Sequence, residues 1–165
     1  MSLAEGMTGM LEGVFINVKN RSKTITAEVE VPASGGNGTL IAQGGRFGGW
    51  SLYVKDGVPA YDYNFLGLQH TSIASTKKLA AGKAEVRFQF NYDGGGPAKG
   101  GQGTLFVNGE KVGEGRIEHT QPGMFSADET ADVGIDLGTP VVEAIGAEAK
   151  SRFTGHIPKL TVEVK

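Results

Sequence analysis

The stretch Trp50–Tyr63, WSLYVKDGVPAYDY, decides the fold of this chain. At its centre, Asp56-Gly57 is a two-residue turn signal of type I′, in which both central residues take positive φ. On one face, the register set by this turn pairs Trp50 with Tyr63, Leu52 with Tyr61, and Val54 with Pro59. On the other face, it pairs Ser51 with Asp62, Tyr53 with Ala60, and Lys55 with Val58. One face is bulky and apolar while the other is small or polar, which predicts a hairpin buried on one side.

Period-two alternation of apolar and polar residues recurs outside this hairpin, in Thr24–Val31, Glu85–Tyr92 and Leu160–Lys165. Each pattern is typical of a strand with one buried and one wetter face, as in antiparallel sheets. A second turn signal, Asn108-Gly109, predicts another hairpin. Its register would pair Leu105 with Val112 and Phe106 with Lys111.

Shorter apolar runs predict the remaining elements. Further strands are expected near Val14–Val18, Thr39–Gln43, His70–Ser75 and, more weakly, Val133–Leu137, with one short helix around Val142–Lys150. Roughly ten short strands separated by turn signals are the pattern of a sandwich or barrel. We therefore predict an all-β, two-sheet antiparallel β-sandwich of the jelly-roll type with little helix. It would be a single domain spanning residues 1–165, in which residues 1–13 are a flexible or expression-derived start.

Composition excludes several partners and cofactors. The formal net charge is −2 and no basic stripe is present, so we expect no nucleic-acid partner. No run approaches the roughly 20 apolar residues of a transmembrane helix, so we expect no membrane partner. The chain has no Cys, which excludes disulfides, Cys-ligated zinc and thiol nucleophiles.

No catalytic motif stands out in the sequence. His70, His119 and His156 are scattered without metal-ligand spacing, and no G-x-S-x-G nucleophile elbow is present. The glycine-rich segment Gly94–Gly103 lacks the Lys and Ser/Thr of a phosphate-binding loop and precedes a strand rather than a helix. The sequence therefore predicts no catalytic residue and no required cofactor.

An acidic run, ADETADVGID, offers the one candidate metal site. Asp128, Asp132 and Asp136 supply oxygen atoms at short spacing, and Ca²⁺ prefers six to eight oxygen ligands. EF-hand spacing is absent, and the alternative is a turn whose Asp side chains accept hydrogen bonds from nearby backbone N–H groups.

The segment Gly44–Trp50, GGRFGGW, is the most distinctive in the chain. With the hairpin that follows it, this segment yields four candidate binding residues: Arg46, Trp50, Tyr61 and Tyr63. The three aromatic residues share strand parity, so they either form the core or build an aromatic platform for sugar rings. Buried aromatic rings would favour a structural role, whereas an exposed strip would favour sugar binding.

Several runs together resemble the C-terminal region of bacterial arylsulfatases. They are NRSKTITAEVEVP (Asn20–Pro32), LIAQGGRFGGWSLYVKDG (Leu40–Gly57), YNFLG (Tyr63–Gly67), FNYDGGGPAKGG (Phe90–Gly101), LFVNGEKVGEGRI (Leu105–Ile117), FSADETADVGIDLGTPV (Phe125–Val141) and RFTGHIPKLTVEV (Arg152–Val164). The order of strand, YDG loop and L-x-V-N-G turn is also similar to laminin-G and concanavalin-like jelly rolls.

The resemblance implies a non-catalytic accessory domain of a bacterial sulfate ester hydrolase. Its partner would be the sulfatase catalytic domain of the parent chain, and its compartment, cytoplasmic or periplasmic, would be that of the parent. Sulfatases convert the Cys or Ser of a C/S-x-P-x-R motif to formylglycine, and no such motif occurs here. The chain alone is therefore expected not to hydrolyse sulfate esters. The alternative is a carbohydrate-binding module with an aromatic platform for a glycan, with or without sulfate groups.

Overall fold

The computed structural model describes all 165 residues, which form two antiparallel sheets. The strands are β1 (Ser2–Leu3), β2 (Lys23–Val31), β3 (Gly38–Gly45), β4 (Gly48–Lys55), β5 (Val58–Phe65), β6 (Gln69–Ala74), β7 (Gly82–Tyr92), β8 (Gly101–Val107), β9 (Glu110–Ile117), β10 (Ala131–Val133) and β11 (His156–Val164). One sheet has the order β1-β11-β2-β7-β8-β9 and the other has the order β10-β3-β4-β5-β6. The predicted all-β sandwich is confirmed.

The central hairpin of β4 and β5 has the predicted register at every position, including Trp50 opposite Tyr63 and Lys55 opposite Val58. Asp56 and Gly57 have φ of 50° and 82°, as a type I′ turn requires. Turn chemistry and the apolar pattern specify the same pairing, which explains why the register could be predicted.

The hairpin of β8 and β9 follows the prediction only close to its turn. Phe106 pairs with Lys111 as expected, but Leu105 pairs with Gly113 instead of Val112. A β-bulge between these positions adds one residue to β9, and Val112 keeps its side chain in the core. The turn signal sets the register at the tip, and the bulge shifts it by one residue further along, where Ile117 pairs with Gly101 and is buried.

The core lies between the two sheets and consists of the inward-facing side chains of both. It includes Ile25, Ala27 and Val29 of β2, Val86 and Phe88 of β7, Ile41 of β3, and Trp50, Leu52, Tyr61 and Ile73 of the smaller sheet. A second, smaller cluster lies on the outer face of the smaller sheet, where Val141 and Val142 cover Tyr53 and Ala60. The segment after β10 therefore folds over part of that outer face.

Three of the expected elements are corrected by the structure. The strand expected at Val133–Leu137 is displaced, since β10 spans Ala131–Val133. Val14–Val18 forms no strand, although Phe15 and Val18 are buried. The expected helix at Val142–Lys150 is only a 3-10 helix at Glu148–Ser151, because Gly146 takes a positive φ of 79° before a regular helix could form. No helix in the structure has the length and apolar character needed to cross a membrane.

The first 13 residues, expected to be flexible, instead contact the sandwich at several points. Ser2 and Leu3 pair with Thr161 and Leu160 of β11, and the Leu3 side chain is buried in the core. Further along, Met10 forms a backbone bridge with Ala131. An edge strand gains hydrogen bonds by adding another strand, which explains why this segment is ordered.

Candidate functional site

The aromatic residues of the central hairpin lie inside the sandwich. Trp50 and Tyr61 have no exposed surface, and Tyr63 is 3% exposed. Trp50 donates from Nε1 to Gln43 Oε1 at 2.9 Å, and Tyr61 stacks on Phe88 with ring centroids 3.6 Å apart. The candidate aromatic platform at Trp50, Tyr61 and Tyr63 is therefore wrong, because their strand parity directs all three rings toward the opposite sheet.

A buried lysine lies among these rings. Lys23 of β2 is 5% exposed, and its Nζ lies 5.2 Å from the Trp50 ring centroid and 5.5 Å from that of Phe90. Tyr61 and Tyr63 are each 5.9 Å from the same nitrogen, and no carboxylate pairs with it. Burial, with a smaller effect from the nearby Lys19, lowers the pKa of Lys23 to about 7. The Lys23 ammonium therefore contacts the faces of aromatic rings and has no carboxylate as its counter-ion.

Phe47, which lies in the same glycine-rich segment as the buried Trp50, is in the opposite environment. Phe47 occupies the turn between β3 and β4 and is 74% exposed, although it lies only three residues before the buried Trp50. Gly49 allows this change, because a Cβ there would lie 2.1 Å from the Gln43 backbone oxygen and its φ is +154°. The glycine-rich segment thus turns one aromatic ring outward and the other inward.

Arg46 is the one predicted binding residue that the structure leaves at the surface. Its Nε donates to Glu143 Oε1 at 2.9 Å, and both side chains are more than half exposed. Its backbone N–H donates to Thr139 Oγ1 at 2.9 Å, and its carbonyl accepts from Asn64 Nδ2 at 2.8 Å. The backbone is therefore fixed on both sides while the guanidinium projects outward.

Asn64 joins the two turns at this end of the smaller sheet. Its Nδ2 donates to the carbonyls of Gly45 and Arg46, and its Oδ1 accepts from the N–H of Gly67. Gly67 in turn lies against Phe47, since a Cβ there would be 3.6 Å from the Phe47 Cα. The β3–β4 and β5–β6 turns therefore form one continuous surface.

Beside these turns, a polar cluster crosses the outer face of β4, β5 and β6. His70 Nδ1 lies 2.9 Å from Asp62 Oδ1, and Tyr53 Oη lies 3.3 Å from Ser72 Oγ. Burial raises the pKa of Asp62, and the hydrogen bond from His70 opposes that shift. Asp62 is buried whereas His70 and Ser72 are exposed, so hydrogen-bonding groups reach solvent along the edge strand.

We call this end of the smaller sheet the turn surface and define it by Arg46, Phe47, Asp62, His70 and Glu143. Only Arg46 was predicted as a site residue from the sequence. Asp62 was predicted on the outer face by the hairpin register, which was the signal that could have located it. Phe47 and His70 carried no such signal, because their position depends on how two separate turns meet.

The acidic run has a structural role. Asp132 and Asp136 are buried, whereas Asp128 is exposed. Asp132 accepts from the N–H groups of Gly9 and Leu137, and Asp136 Oδ2 accepts from the N–H of Val141. No group of three or more His, Asp or Glu side chains is arranged to hold a metal ion. The candidate set Asp128, Asp132 and Asp136 is not brought together as ligands, because two of the carboxylates satisfy backbone donors.

Burial and the neighbouring carboxylates also affect Asp136. Its Oδ1 has no hydrogen-bond partner, and burial raises its pKa to about 7, with further contributions from Asp132, Glu129 and Glu148. Its backbone N–H donates to Ser151 Oγ at 2.8 Å. Asp136 therefore anchors both ends of the segment that covers the outer face of the smaller sheet.

Removing the Asp132 carboxylate should destabilise the protein with or without calcium. In Asp132→Ala the Gly9 and Leu137 N–H groups lose their acceptor, so we expect the free energy of unfolding to fall by about 2–3 kcal/mol. Millimolar Ca²⁺ should leave the Tm of the wild type unchanged, as measured by thermal unfolding. A large rise with Ca²⁺ that Asp132→Ala abolishes would show a metal site instead, and Asp128→Ala is the matched exposed control.

Comparison with known proteins shows the fold. No family model matches the chain, and no curated protein matches it significantly in sequence. A solved structure titled Ruminococcus gnavus IT-sialidase CBM40 bound to alpha2,3 sialyllactose is similar, with a TM-score of 0.59 and 16% identity. The match covers 89% of this chain and 79% of that chain.

Two further structures agree on the architecture. A heptameric SAP-like pentraxin from Limulus polyphemus has a TM-score of 0.54 and 17% identity, covering 90% of this chain and 67% of that chain. The LG1-3 region of the laminin alpha2 chain has a TM-score of 0.56 and 16% identity, covering 99% of this chain and 30% of that one. The laminin-G-like jelly-roll part of the predicted resemblance is confirmed, and its arylsulfatase part stays a prediction.

Proposed function

We propose that this chain is a non-catalytic glycan-binding domain and that the turn surface is its binding surface. The observation that carries the proposal is Phe47, a 74% exposed aromatic ring in a turn held by Asn64 and Thr139. With the exposed Leu66 and Leu68 of the adjoining β5–β6 turn, Phe47 makes an apolar area at the surface, and such areas mark sites of interaction.

The chemistry of the turn surface suits a sugar. A pyranose has an apolar C–H face, which packs on an aromatic ring, and an edge of hydroxyl groups, which donate and accept hydrogen bonds. Phe47 supplies the ring. At the same end of the sheet, Asp62 supplies a carboxylate that accepts hydrogen bonds and His70 supplies imidazole nitrogens. The aromatic contact would come from Phe47 and not from the buried residues Trp50, Tyr61 and Tyr63.

The structural comparison supports the same proposal. The Ruminococcus gnavus module with the same fold is described as bound to sialyllactose. Jelly rolls support many functions, so the fold is consistent with glycan binding without selecting it. The exposed ring and polar cluster of this chain are the features that favour glycan binding over a purely structural role.

Replacing Phe47 with alanine should weaken glycan binding without destabilising the protein. Loss of one aromatic contact, at about 1 kcal/mol, corresponds to roughly fivefold weaker binding. Screening of the wild type on a glycan array identifies the ligand, and calorimetric titration compares Phe47→Ala with it. Val14→Ala, which also removes an exposed apolar side chain, is the control. Absence of binding to every glycan on the array would contradict the proposed function.

A second candidate is the accessory domain implied by the sequence resemblance. Leu66 and Leu68 flank Gly67 beside Phe47 and are 46% and 82% exposed, so an apolar patch extends from the turn surface. Such patches mark protein interfaces as well as ligand sites. A partner catalytic domain would bind this patch, and Leu68→Asp should abolish its binding. In the same variant, glycan binding at Phe47 should change little if the first proposal is correct.

A further inference from the structure

The ion pair between Arg46 and Glu143 uses a small part of what the guanidinium offers. Only Nε donates to the Glu143 carboxylate, and the two terminal nitrogens make no hydrogen bond with another residue. A guanidinium has five N–H donors in a planar fork that matches the oxygen atoms of a carboxylate, sulfate or phosphate. Arg46 therefore keeps most of its donors available at the surface.

Glu143 can leave this position at little cost. The two side chains are 52% and 64% exposed, and ion pairs in that setting contribute about 0.2–1 kcal/mol. The turn does not depend on the pair, because Thr139 and Asn64 hold the backbone of Arg46 independently. Removal of Glu143 would leave the Arg46 backbone in place and the guanidinium free to bind another anion.

The other charged groups around Arg46 already have partners. Glu129 accepts from the N–H and Oγ1 of Thr139, which lies directly behind the Arg46 backbone. Asp62 is paired with His70. Glu143, by contrast, has Arg46 as its only ionic partner. An incoming anion would therefore compete with one exposed carboxylate and with no buried one.

We propose that Arg46 binds the sulfate or carboxylate group of an anionic glycan and that Glu143 occupies the position of this group in the free protein. The inference rests on the proposed glycan-binding function and defines the ligand class. Phe47 packs against a sugar ring, and the adjacent Arg46 selects rings that carry an anionic substituent. Glu143 lowers the affinity for every such ligand by the same factor, because each must displace it.

The test is a calorimetric titration with lactose, sialyllactose and a sulfated lactose, which separates the neutral, carboxylate and sulfate ligands. The two anionic sugars should bind about tenfold more tightly than lactose, since hydrogen bonds to charged groups contribute at least 1.5 kcal/mol. Arg46→Ala should remove this preference, so that the anionic sugars bind no more tightly than lactose. Higher salt should reduce only the preference for the anionic sugars.

Glu143→Gln tests the second half of the proposal. In this variant the affinity for the anionic sugars, relative to that for lactose, should be about two- to fivefold higher than in the wild type. Glu163→Gln, an exposed change on β11 of the other sheet, alters the net charge by the same amount as Glu143→Gln and should have no effect.

The outcomes separate this inference from the proposed function. Equal binding of all three sugars, unaffected by Arg46→Ala, would overturn the anionic class while leaving glycan binding intact. No binding of any glycan on the array would overturn both proposals. Unchanged affinity in Glu143→Gln would overturn the competing role of Glu143. Preference for only one anionic sugar would support the role of Arg46 in binding an anionic group and would identify which substituent the site accepts.

Discussion

Replacing Trp50 with alanine should lower the free energy of unfolding by about 3–5 kcal/mol, the usual cost of deleting a large buried aromatic side chain. Trp50 has no exposed surface and lies against Phe15 and Tyr61, with ring centroids 6.3 and 6.1 Å away. Its removal would also leave the buried Gln43 Oε1 without its donor. Denaturant unfolding of the two proteins measures the difference.

Two controls make the Trp50 result specific. Trp50→Phe keeps most of the ring volume and should cost less than the alanine variant. Phe47→Ala removes an aromatic ring from the same segment but should change stability by less than about 0.5 kcal/mol, because that ring is exposed. Equal stability of Trp50→Ala and the wild type would contradict a core position for Trp50.

Replacing Lys23 with methionine should stabilise the protein, with a gain that depends on pH. Burial lowers the pKa of Lys23 to about 7 in the folded protein, compared with 10.5 in the unfolded chain. Between these values the unfolded chain binds more protons, so the stability of the wild type increases with pH across this window. The four ring faces offset part of the cost of burying the ammonium.

Below pH 7 the full cost of burying the Lys23 charge is present, so Lys23→Met should be more stable there by up to about 5 kcal/mol, less whatever the ring faces offset. The difference should shrink as the pH rises from 7 and disappear above about 10.5, where the amine is neutral in both states. Urea unfolding of both proteins from pH 6 to pH 10 measures this trend. Lys77→Met, an exposed change, should show none. A destabilised Lys23→Met at pH 6 would show that the cation–ring contacts dominate.

The sequence predicted local geometry wherever two independent patterns agreed. For the β4–β5 hairpin, the Asp56-Gly57 turn and the apolar alternation required the same register, and the structure has that register throughout. For β8 and β9 the turn register held only as far as Phe106 and Lys111. Beyond these residues a bulge shifts the pairing by one residue, so that both Val112 and Ile117 of β9 are buried.

The candidate site was predicted less well, since its members come from separate turns. Trp50 and Phe47 lie three residues apart in one glycine-rich segment, and the composition of that segment does not indicate which ring is buried. Only the path of the backbone through Gly48 and Gly49 decides which ring is buried. The acidic run was similarly ambiguous, because Asp132 could bind a cation or backbone N–H groups until the donors of Gly9 and Leu137 were located.

The sequence by itself determined the fold class, the strand faces and the central register, because these follow from alternation and turn chemistry over a few neighbouring residues. Only the tertiary structure decided which surface is available for binding. Asn64 connects two turns that are about 20 residues apart, and the segment after β10 brings Glu143 onto Arg46. Such contacts depend on how distant strands pack, and no pattern within a short stretch of sequence predicts them.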